Sequence, residues 1–302
     1  MLLSQIAAPG EYDVARDGEF DVLGLIDSPT TSNMLVFVGD AKFIKQFGSN
    51  VTCAICSPDM IVEFPENIGI ITTKQPKQLF YELHNYLSTL PPLVRTPFEN
   101  SIGSNAKISK MVYIAEKNVK IGNNVVIEEF VSIKENTLIG DNVIIRAGTV
   151  IGGPGFYYNK NSDGTMMPVQ HFGGVIIEDN VEIQHSCCID RAHFPWDNTI
   201  IGEMTKLDNL IQVAHAVKIG KSVLITSCVS IAGNVEIGDD TYIGPGSTFT
   251  NNITVGNNAK VSLGSVVTRS VKESTVVTGN FAIEHSLFLR NLKESLKLHD
   301  KR

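Results

Sequence analysis

One histidine in this 302-residue chain stands among residue types that could move a proton. His215 lies in the segment LDNLIQVAHAVKIG, shortly after Asn209 and Gln212. A neutral imidazole can accept a proton from an attacking amine near neutral pH. A solvated surface histidine would show the same local sequence, so position alone leaves both interpretations open.

Other catalytic classes lack their usual residues. No second histidine follows His215 at the spacing of three to five residues that is typical of short metal-ligand pairs. The chain has neither a Walker loop nor a G-x-S-x-G nucleophile elbow. We therefore expect no bound metal ion and no covalent catalysis, and a zinc hydratase is not favoured. The other histidines are His84, His171, His185, His193, His285 and His299.

A six-residue repeat determines where His215 points. A period of six fits neither a helix at 3.6 nor a strand at 2, and it is the hexapeptide signature of a parallel β-helix. Three hexads make one triangular coil, and the aliphatic residues stack inside it. His215 comes two residues after inward Val213, so we expect it at a corner, pointing outward. The repeating positions are Ile201, Leu207, Val213, Ile219, Ile225, Ile231, Ile237, Ile243, Phe249, Val255, Val261 and Val267.

The repeat defines a domain over residues 101–270. It begins at Ile102, shifts by one residue before Ile121 and is interrupted twice, by residues 152–174 and by DRAHFPWDN. Loops on a rigid solenoid are where binding residues usually lie. We therefore expect these two interruptions to contribute to a site.

The flanking segments do not have the period. Residues 1–100 contain four β-like runs and the helical pattern QLFYELHNYLSTL, which predicts a small α/β or α+β domain. A linker with Pro91, Pro92 and Pro97 follows. Residues 271–302 leave the coil and end in an amphipathic helix. Its apolar stripe is Leu289, Leu292 and Leu296, and its basic stripe is Arg290, Lys293 and Lys297. The basic stripe fits either a solvated cap or a contact with an acidic partner.

Composition narrows the function classes. The chain is 43% hydrophobic and 19% charged, as globular proteins are, and its net charge of −7 argues against nucleic-acid binding. We see no signal peptide or membrane span and expect a cytoplasmic protein. The five cysteines fit that compartment, and we expect Cys53 and Cys56 to be buried core thiols. Cys53 and Cys56 should face opposite sides of a strand, and Cys187 and Cys188 cannot both point inward.

An ordered set of motifs resembles a known family. GGPGFYY, QHFGGVIIEDNVEI, CIDRAHF, LDNLIQVAHAVKIG and SIAGNVEIGDDTYIG together resemble the UDP-3-O-acylglucosamine N-acyltransferases of lipid A synthesis. The resemblance implies a left-handed β-helical homotrimer with its site between subunits. It also implies no bound cofactor. The partners would be a nucleotide-linked amino sugar and an acyl group on phosphopantetheine, delivered by acyl carrier protein or coenzyme A.

The resemblance assigns roles in the solenoid. His215 matches the family's general base, and Gly233, one coil above, matches the glycine whose N–H stabilises the oxyanion, worth about 3 kcal/mol. Asp208 and Asn209 match polar residues that position His215 or the sugar. Gln212 and Asn252 are further candidates for substrate binding.

Other roles concern the flanking segments. In MLVFVGDAKFIKQF, Phe37 and Phe43 would stack on the nucleotide base, with Asp40 accepting from the imide N–H of uracil or thymine. Ordinary core packing is the alternative for the two rings. In the trimer, we expect these residues to meet the His215 coil of a nearby subunit. The candidates for binding the acyl donor are Gly246, Arg290 and Lys293.

Departures from the family leave two donors open. Asn251–Asn252 replaces a G-H pair, Ala216 follows the base instead of Asn, and bulky Tyr157 and Trp196 lie near the expected acyl channel. A 3-hydroxyacyl carrier protein would make this a lipid A enzyme. Acetyl- or short-acyl-CoA would make it an enzyme of O-antigen or surface-glycan synthesis acting on a dTDP- or UDP-linked amino sugar. A non-catalytic scaffold should lack the base or the oxyanion glycine, and both residues are present.

Overall fold

Short parallel strands line the three faces of a triangular prism. The computed structural model describes residues 1–7, 11–279 and 282–299, without the side chains of 296–299. The first face contains Ser101–Ile102, Val119–Ile121, Thr137–Ile139, Gly174–Ile177, Asn198–Ile201, Lys218–Ile219, Glu236–Ile237 and Thr254–Val255. The second contains Lys107–Ile108, Val126–Ile127, Ile144–Ile145, Glu182–Ile183, Lys206–Leu207, Leu224–Ile225, Tyr242–Ile243, Lys260–Val261 and Val276–Val277. The third contains Tyr113–Ile114, Ser132–Ile133, Val150–Gly153, Cys188–Asp190, Gln212–Val213, Ser230–Ile231, Thr248–Phe249 and Val266–Val267.

The repeating aliphatic residues form the core of the prism. Every predicted position from Ile201 to Val267 is at most 6% exposed and belongs to one hydrophobic cluster. Val213 pairs in parallel register with Ile189 on one side and Ile231 on the other. Burying each such side chain contributes about 1.5 to 3 kcal/mol. The predicted left-handed parallel β-helix is confirmed.

The solenoid extends further than the predicted boundary at residue 270. Val271 bridges to Val255 on the first face, and Val276–Val277 pairs with Lys260–Val261 on the second. The inward residues Val267 and Val271 are fewer than six positions apart. The six-residue period therefore ends there, while the strands continue to stack. The expectation that residues 271–302 leave the coil is therefore wrong for Val271 and for Val276–Val277.

The N-terminal domain is a five-stranded sheet with one helix against it. Its strands are β1 (Asp13–Arg16), β2 (Val22–Leu23), β3 (Met34–Phe37), β4 (Val51–Cys56) and β5 (Gly69–Thr72), in the order β1-β5-β4-β3-β2. Strand β1, which the sequence did not predict, is antiparallel to β5, and the other pairs are parallel. Helix α1 (Pro76–Leu87) begins at a proline, whose fixed φ suits a first helical turn. Short 3-10 helices span Leu3–Gln5, Ala41–Gln46 and Pro58–Glu63.

Aromatic residues attach the N-terminal domain to the solenoid. Phe80 of α1 and Phe194 of the second interruption belong to one hydrophobic cluster. Trp196 stacks on Phe194 at 5.6 Å between ring centroids, and its Nε1 donates to the Leu23 carbonyl at 2.9 Å. Trp196 therefore holds the two parts together. Its expected place near an acyl channel stays a prediction.

The C-terminal helix and the cysteines follow the predicted patterns. Helix α2 spans His285–His299, with Leu289, Leu292, Arg290 and Lys293 exposed. The predicted stripe positions Leu296 and Lys297 have side chains outside the described part. Cys53 and Cys56 pack in different hydrophobic clusters, and Cys187 is buried while Cys188 is exposed, as predicted. Within the described ranges, no helix is long and apolar enough to cross a membrane.

Candidate active site

One corner of the prism collects the residues with chemical potential. We call it the third–first corner, because the chain passes there from the third face to the first. Residues 154–173 leave the prism at this corner after Val150–Gly153, and residues 191–197 leave it one coil later, after Cys188–Asp190. The first loop contains a hairpin of Tyr158–Lys160 and Met166–Pro168. The next coil turns this corner directly, at His215 and Ala216.

The turn geometry places His215 beneath Gly233. Ala216 and Asn234 are the left-handed turn residues of successive coils, each with φ of 57°, and Asn234 N–H donates to the His215 carbonyl at 3.0 Å. A Cβ on Gly233 would overlap the His215 ring. The Gly233 N–H donates no hydrogen bond within the described part of the chain. Gly233 is buried, so its amide lies beside the imidazole without a hydrogen-bond partner from the described residues.

The His215 ring lies outside the prism but is covered by the two loops. Its centroid is 3.8 Å from that of His193, 5.5 Å from His171 and 6.0 Å from Tyr157. His171 and His193 are themselves 4.3 Å apart and each only 7% exposed. The outward direction agrees with the hexad register. The solvated corner does not form, because His171 and Tyr157 of the first loop and His193 of the second cover the imidazole.

Burial keeps all three imidazoles neutral at pH 7. It lowers the pKa of His215 to about 4 and, together with the neighbouring His215, the pKa of His171 to about 3. Burial also lowers the pKa of His193 well below its usual value, with further contributions from His215 and His171. One nitrogen from each ring lies within 4.8 Å of the other two, so the donor set could hold a metal ion. These ligands come from two separate loops and a corner, so the short spacings typical of metal-ligand pairs do not apply to them.

A cleft of about 680 Å³ opens beside this cluster. Four predicted site residues line it, namely Gln212, His215, Gly233 and Asn252. Asp190 also lines it, and Gln212 Nε2 donates to its Oδ2 at 2.9 Å. Burial raises the pKa of Asp190 to about 6, against the lowering effect of that hydrogen bond. Asp190 is a second titratable group of the cleft, which the sequence did not single out.

Three predicted residues lie at a different corner. Asp208, Asn209 and Gly246 follow strands of the second face, so they turn the corner before the third face. Asn209 Nδ2 donates to Asp208 Oδ1 at 2.6 Å, and Asn209 Oδ1 lies 3.1 Å from His185 Nδ1. Within one chain, their hydrogen bonds are made at that corner and do not reach His215.

The N-terminal candidates occupy two environments. Phe37 packs on α1, with its centroid 5.2 Å from Phe80 and 6.0 Å from Tyr81. Asp40 caps the 3-10 helix Ala41–Gln46, and hydrogen bonds from the Lys42 side chain and N–H lower its pKa. Phe43 is 37% exposed, with Lys42 Nζ 5.0 Å from its centroid.

The N-terminal domain also forms one wall of the cleft in the same chain. Leu25 and Tyr81 line the cleft, and the Tyr81 and Tyr157 hydroxyls are 2.8 Å apart. Arg290 and Lys293 are exposed on α2. The expected contact of Phe37 and Phe43 with the His215 coil of another subunit stays a prediction.

Comparison with known proteins assigns the chain to a family. A model described as bacterial transferase hexapeptide (six repeats) matches residues 118–153 and 234–269. UDP-3-O-acylglucosamine N-acyltransferase 2 of Legionella pneumophila (strain Paris) is 31% identical over 266 residues, covering 74% of this chain and 71% of that protein. The chain belongs to the UDP-3-O-acylglucosamine N-acyltransferase family.

Other family members match over shorter stretches. UDP-3-O-acylglucosamine N-acyltransferase 1 of the same Legionella strain is 51% identical over 79 residues, which are 26% of this chain and 22% of that protein. The match thus spans about a fifth of that relative. The solved structure of a UDP-N-acetylglucosamine acyltransferase from Campylobacter jejuni is also similar to this chain. The match covers 60% of the present chain and 68% of the Campylobacter chain, at 24% identity and a TM-score of 0.52. That likeness supports the fold.

The sequence did not single out four residues in and around the cleft of the present chain, namely His171, His193, Asp190 and Tyr81. A signal for the first three was available in the repeat. Both interruptions replace the same corner in successive coils, and His215 occupies that corner in the next coil. The phase of the repeat therefore predicts that the two loops and His215 share one edge of the prism.

Proposed function

We propose that this protein transfers an acyl group from a phosphopantetheine thioester to the amino group of a nucleotide-linked amino sugar. The observation that supports this most directly is the neutral His215 ring against Gly233. Both residues line the cleft, and the Gly233 N–H has no hydrogen-bond partner among the described residues. Family membership supports the same reaction.

The geometry suggests how each residue acts. The sugar amine attacks the thioester carbonyl, which forms an N–C bond and places negative charge on the carbonyl oxygen. The Gly233 N–H stabilises that oxygen, an interaction worth about 3 kcal/mol. His215 takes the proton from the attacking nitrogen. Collapse breaks the C–S bond, and protonated His215 gives the proton to the leaving thiolate.

The lowered pKa of His215 affects the timing of proton transfer. With a pKa of about 4, the ring is a weak base and cannot readily deprotonate a free ammonium group. Formation of the N–C bond makes the attacking nitrogen strongly acidic, and at that stage a neutral imidazole is a sufficient acceptor. Burial thus keeps the His215 ring unprotonated until N–C bond formation has made the attacking nitrogen acidic.

We assign nucleotide binding to the N-terminal domain. Phe43 exposes part of its ring, and Phe37 lies in the same domain, half-buried against α1. A uracil base could stack on these aromatic faces. Asp40 is ionised and could accept from the imide N–H, in exchange for its hydrogen bond from the Lys42 ammonium. The same contacts would accept thymine.

We favour a 3-hydroxyacyl carrier protein as donor, as in lipid A biosynthesis. Arg290 and Lys293 are exposed on α2 and could contact an acidic carrier protein. The alternative donor is acetyl- or short-acyl-CoA, with a dTDP- or UDP-linked sugar. Its support is Tyr157, which lines the cleft and lies 6.0 Å from His215, centroid to centroid. We further place the reaction in the cytoplasm.

We further propose a homotrimer with sites between subunits. Asp208, Asn209 and Gly246 lie at one end of the third face, and His215 and Gly233 at the other. If the third faces of three copies surround a threefold axis, the corner between the second and third faces of one copy approaches the third–first corner of its neighbour. That packing would join the two groups of candidates, which a single chain keeps apart.

The decisive experiment offers each donor with each acceptor. Purified protein is incubated with 3-hydroxyacyl carrier protein or acetyl-CoA, and with a UDP- or dTDP-linked amino sugar, and amide formation is measured by mass spectrometry. We expect amide with 3-hydroxyacyl carrier protein and the UDP-linked sugar. Amide only with acetyl-CoA would select the alternative donor. If no pair yields amide although the sugars bind, the protein is a scaffold and the proposal fails.

A further inference from the structure

The three-histidine cluster at the third–first corner has more nitrogen donors than the acyl transfer uses. Only His215 acts in the proposed reaction, whereas His171 and His193 have no role in it. Each of these two rings is 7% exposed, so both are removed from water. Three buried imidazoles in contact therefore call for a separate explanation.

One nitrogen of each ring lacks a hydrogen-bond partner in the part of the chain that the structure describes. Among the described residues, no partner reaches the buried Nε2 of His171, Nε2 of His193 or Nδ1 of His215. Leaving a buried polar atom unsatisfied costs about 1 to 3 kcal/mol. By contrast, the buried His84 has its Nε2 2.9 Å from the Gln170 carbonyl oxygen. The fold can satisfy a buried imidazole nearby but does not do so for the cluster.

A single metal ion would satisfy three such nitrogens together. One nitrogen from each ring lies within 4.8 Å of the other two. Zinc–imidazole bonds of about 2.0 to 2.1 Å place tetrahedral ligand atoms about 3.4 Å apart. Side-chain movements of about 1 Å would close the cluster around an ion. Neutral imidazoles suit zinc, copper, nickel and cobalt better than magnesium or calcium.

We propose that His171, His193 and His215 bind a divalent transition-metal ion of the zinc class, and that a bound ion withdraws the lone pair His215 needs as a general base. A neutral imidazole has one lone pair and one N–H. Coordination through either nitrogen leaves the proton on the other, so the ring can no longer accept one. His193 and His215 line the cleft, which gives the ion a route in. The ion is therefore an inhibitor of acyl transfer.

Metal binding is tested without any substrate. Metal-free wild-type protein is titrated with Co²⁺, and its visible spectrum and stoichiometry are recorded. We expect one ion per chain with the intense visible bands of four-coordinate cobalt. His171→Gln and His193→Gln should each weaken binding by at least about a hundredfold, since removing a ligand exceeds the effect of losing an outer-shell partner.

Two controls separate this site from adventitious binding. His185→Gln removes a histidine at the other corner and should leave the dissociation constant within about twofold. Cys188→Ser removes the exposed thiol that lines the same cleft and should leave the cobalt spectrum unchanged. Near-ultraviolet circular dichroism checks that the histidine variants are folded. A weak six-coordinate spectrum, or binding by His171→Gln and His193→Gln equal to wild type, would overturn the proposal.

The inhibitory effect rests on the proposed function and has its own measurement. The acyl-transfer rate is measured once with a metal chelator and once with added Zn²⁺, and the first rate is divided by the second. This ratio is compared among wild type, His171→Gln and His193→Gln. We expect a large ratio in wild type and a ratio near unity in the variants. Equal ratios in all three proteins would refute the inhibition, whereas an absence of any acyl transfer would refute the proposed function and leave the cobalt result standing.

Discussion

The His215 ring lies directly against the α-carbon of Gly233, where a Cβ would overlap it. Gly233→Ala should therefore displace the imidazole and lower kcat by at least about a hundredfold, the contribution expected of a positioned base. Gly153→Ala is the matched control, because the nearest atom to its added Cβ is 3.8 Å away. Steady-state kinetics of both variants measure the effect. Similar rates would show that the ring does not need this position.

Replacement of the base itself should affect chemistry more than binding. We expect His215→Ala to lower kcat at least about a hundredfold while the affinity for the nucleotide sugar is retained, since the side chain is needed in the transition state. Calorimetric titration with the sugar nucleotide gives the affinity, and single-turnover kinetics give the chemical step. An unchanged rate would remove His215 from the mechanism.

The proposed trimer can be tested by complementation. His215→Ala and Asp208→Ala chains are co-expressed with different tags, and mixed oligomers are purified. If residue 215 of one subunit acts with residue 208 of its neighbour, random mixing restores up to about one quarter of the sites. If both act within one chain, mixing restores no activity. Light scattering gives the mass, and an active monomer would contradict the arrangement.

His84 should make stability depend on pH. It is completely buried, and burial lowers its pKa from 6.5 to about 4. The unfolded chain binds a proton between these pH values and the folded chain does not, so stability falls as the pH decreases from about 6.5 to 4. The slope from one such group is at most about 1.4 kcal/mol per pH unit.

Urea denaturation of wild type and His84→Gln at several pH values between 4.5 and 7.5 measures this slope. The variant should show the smaller dependence, although its stability at pH 7.5 falls because the contact with Gln170 is lost. The other buried histidines, His171, His193 and His215, contribute in the same direction in both proteins. Equal slopes would mean that His84 does not titrate as proposed.

The hydroxyl pair of Tyr81 and Tyr157 should couple α1 to the first loop. The two oxygens are 2.8 Å apart, and Tyr81 is only 4% exposed. Tyr157→Phe should destabilise the protein by about 1 to 3 kcal/mol, because the Tyr81 hydroxyl loses its partner. The double change to phenylalanine should cost less than the sum of the single changes. Tyr158→Phe, at a ring that is 47% exposed, should have little effect on the melting temperature.

The sequence predicted the solenoid because its core is periodic. Each aliphatic from Ile201 to Val267 contacts residues one coil away, so position in the hexad decides its direction. The same register placed His215 outside the prism, and the family motifs supplied Gly233. The end of the solenoid was missed because the corner before Val271 is short, although strand pairing continues there.

The histidine cluster could not be read from spacing within a motif. His171 and His193 meet His215 only because two loops fold back over one corner, and their course depends on the hairpin and on contacts with α1. Asp208 and Asn209 are close to His215 in sequence, yet one prism face separates their corner from its own. Proximity along the chain is therefore a poor guide to proximity across a triangular coil.

Because the stacked coils share one cross-section, the catalytic edge could be moved along the prism axis in steps of one coil. Adjacent strands of a sheet are about 4.8 Å apart, and exchanging one coil for another leaves the aliphatic column continuous. Transferring the two loops and the imidazole to the next coil would shift the whole catalytic edge along the axis by that distance. Duplication or deletion of a single coil would thus relocate the reaction relative to the N-terminal domain without redesigning the core.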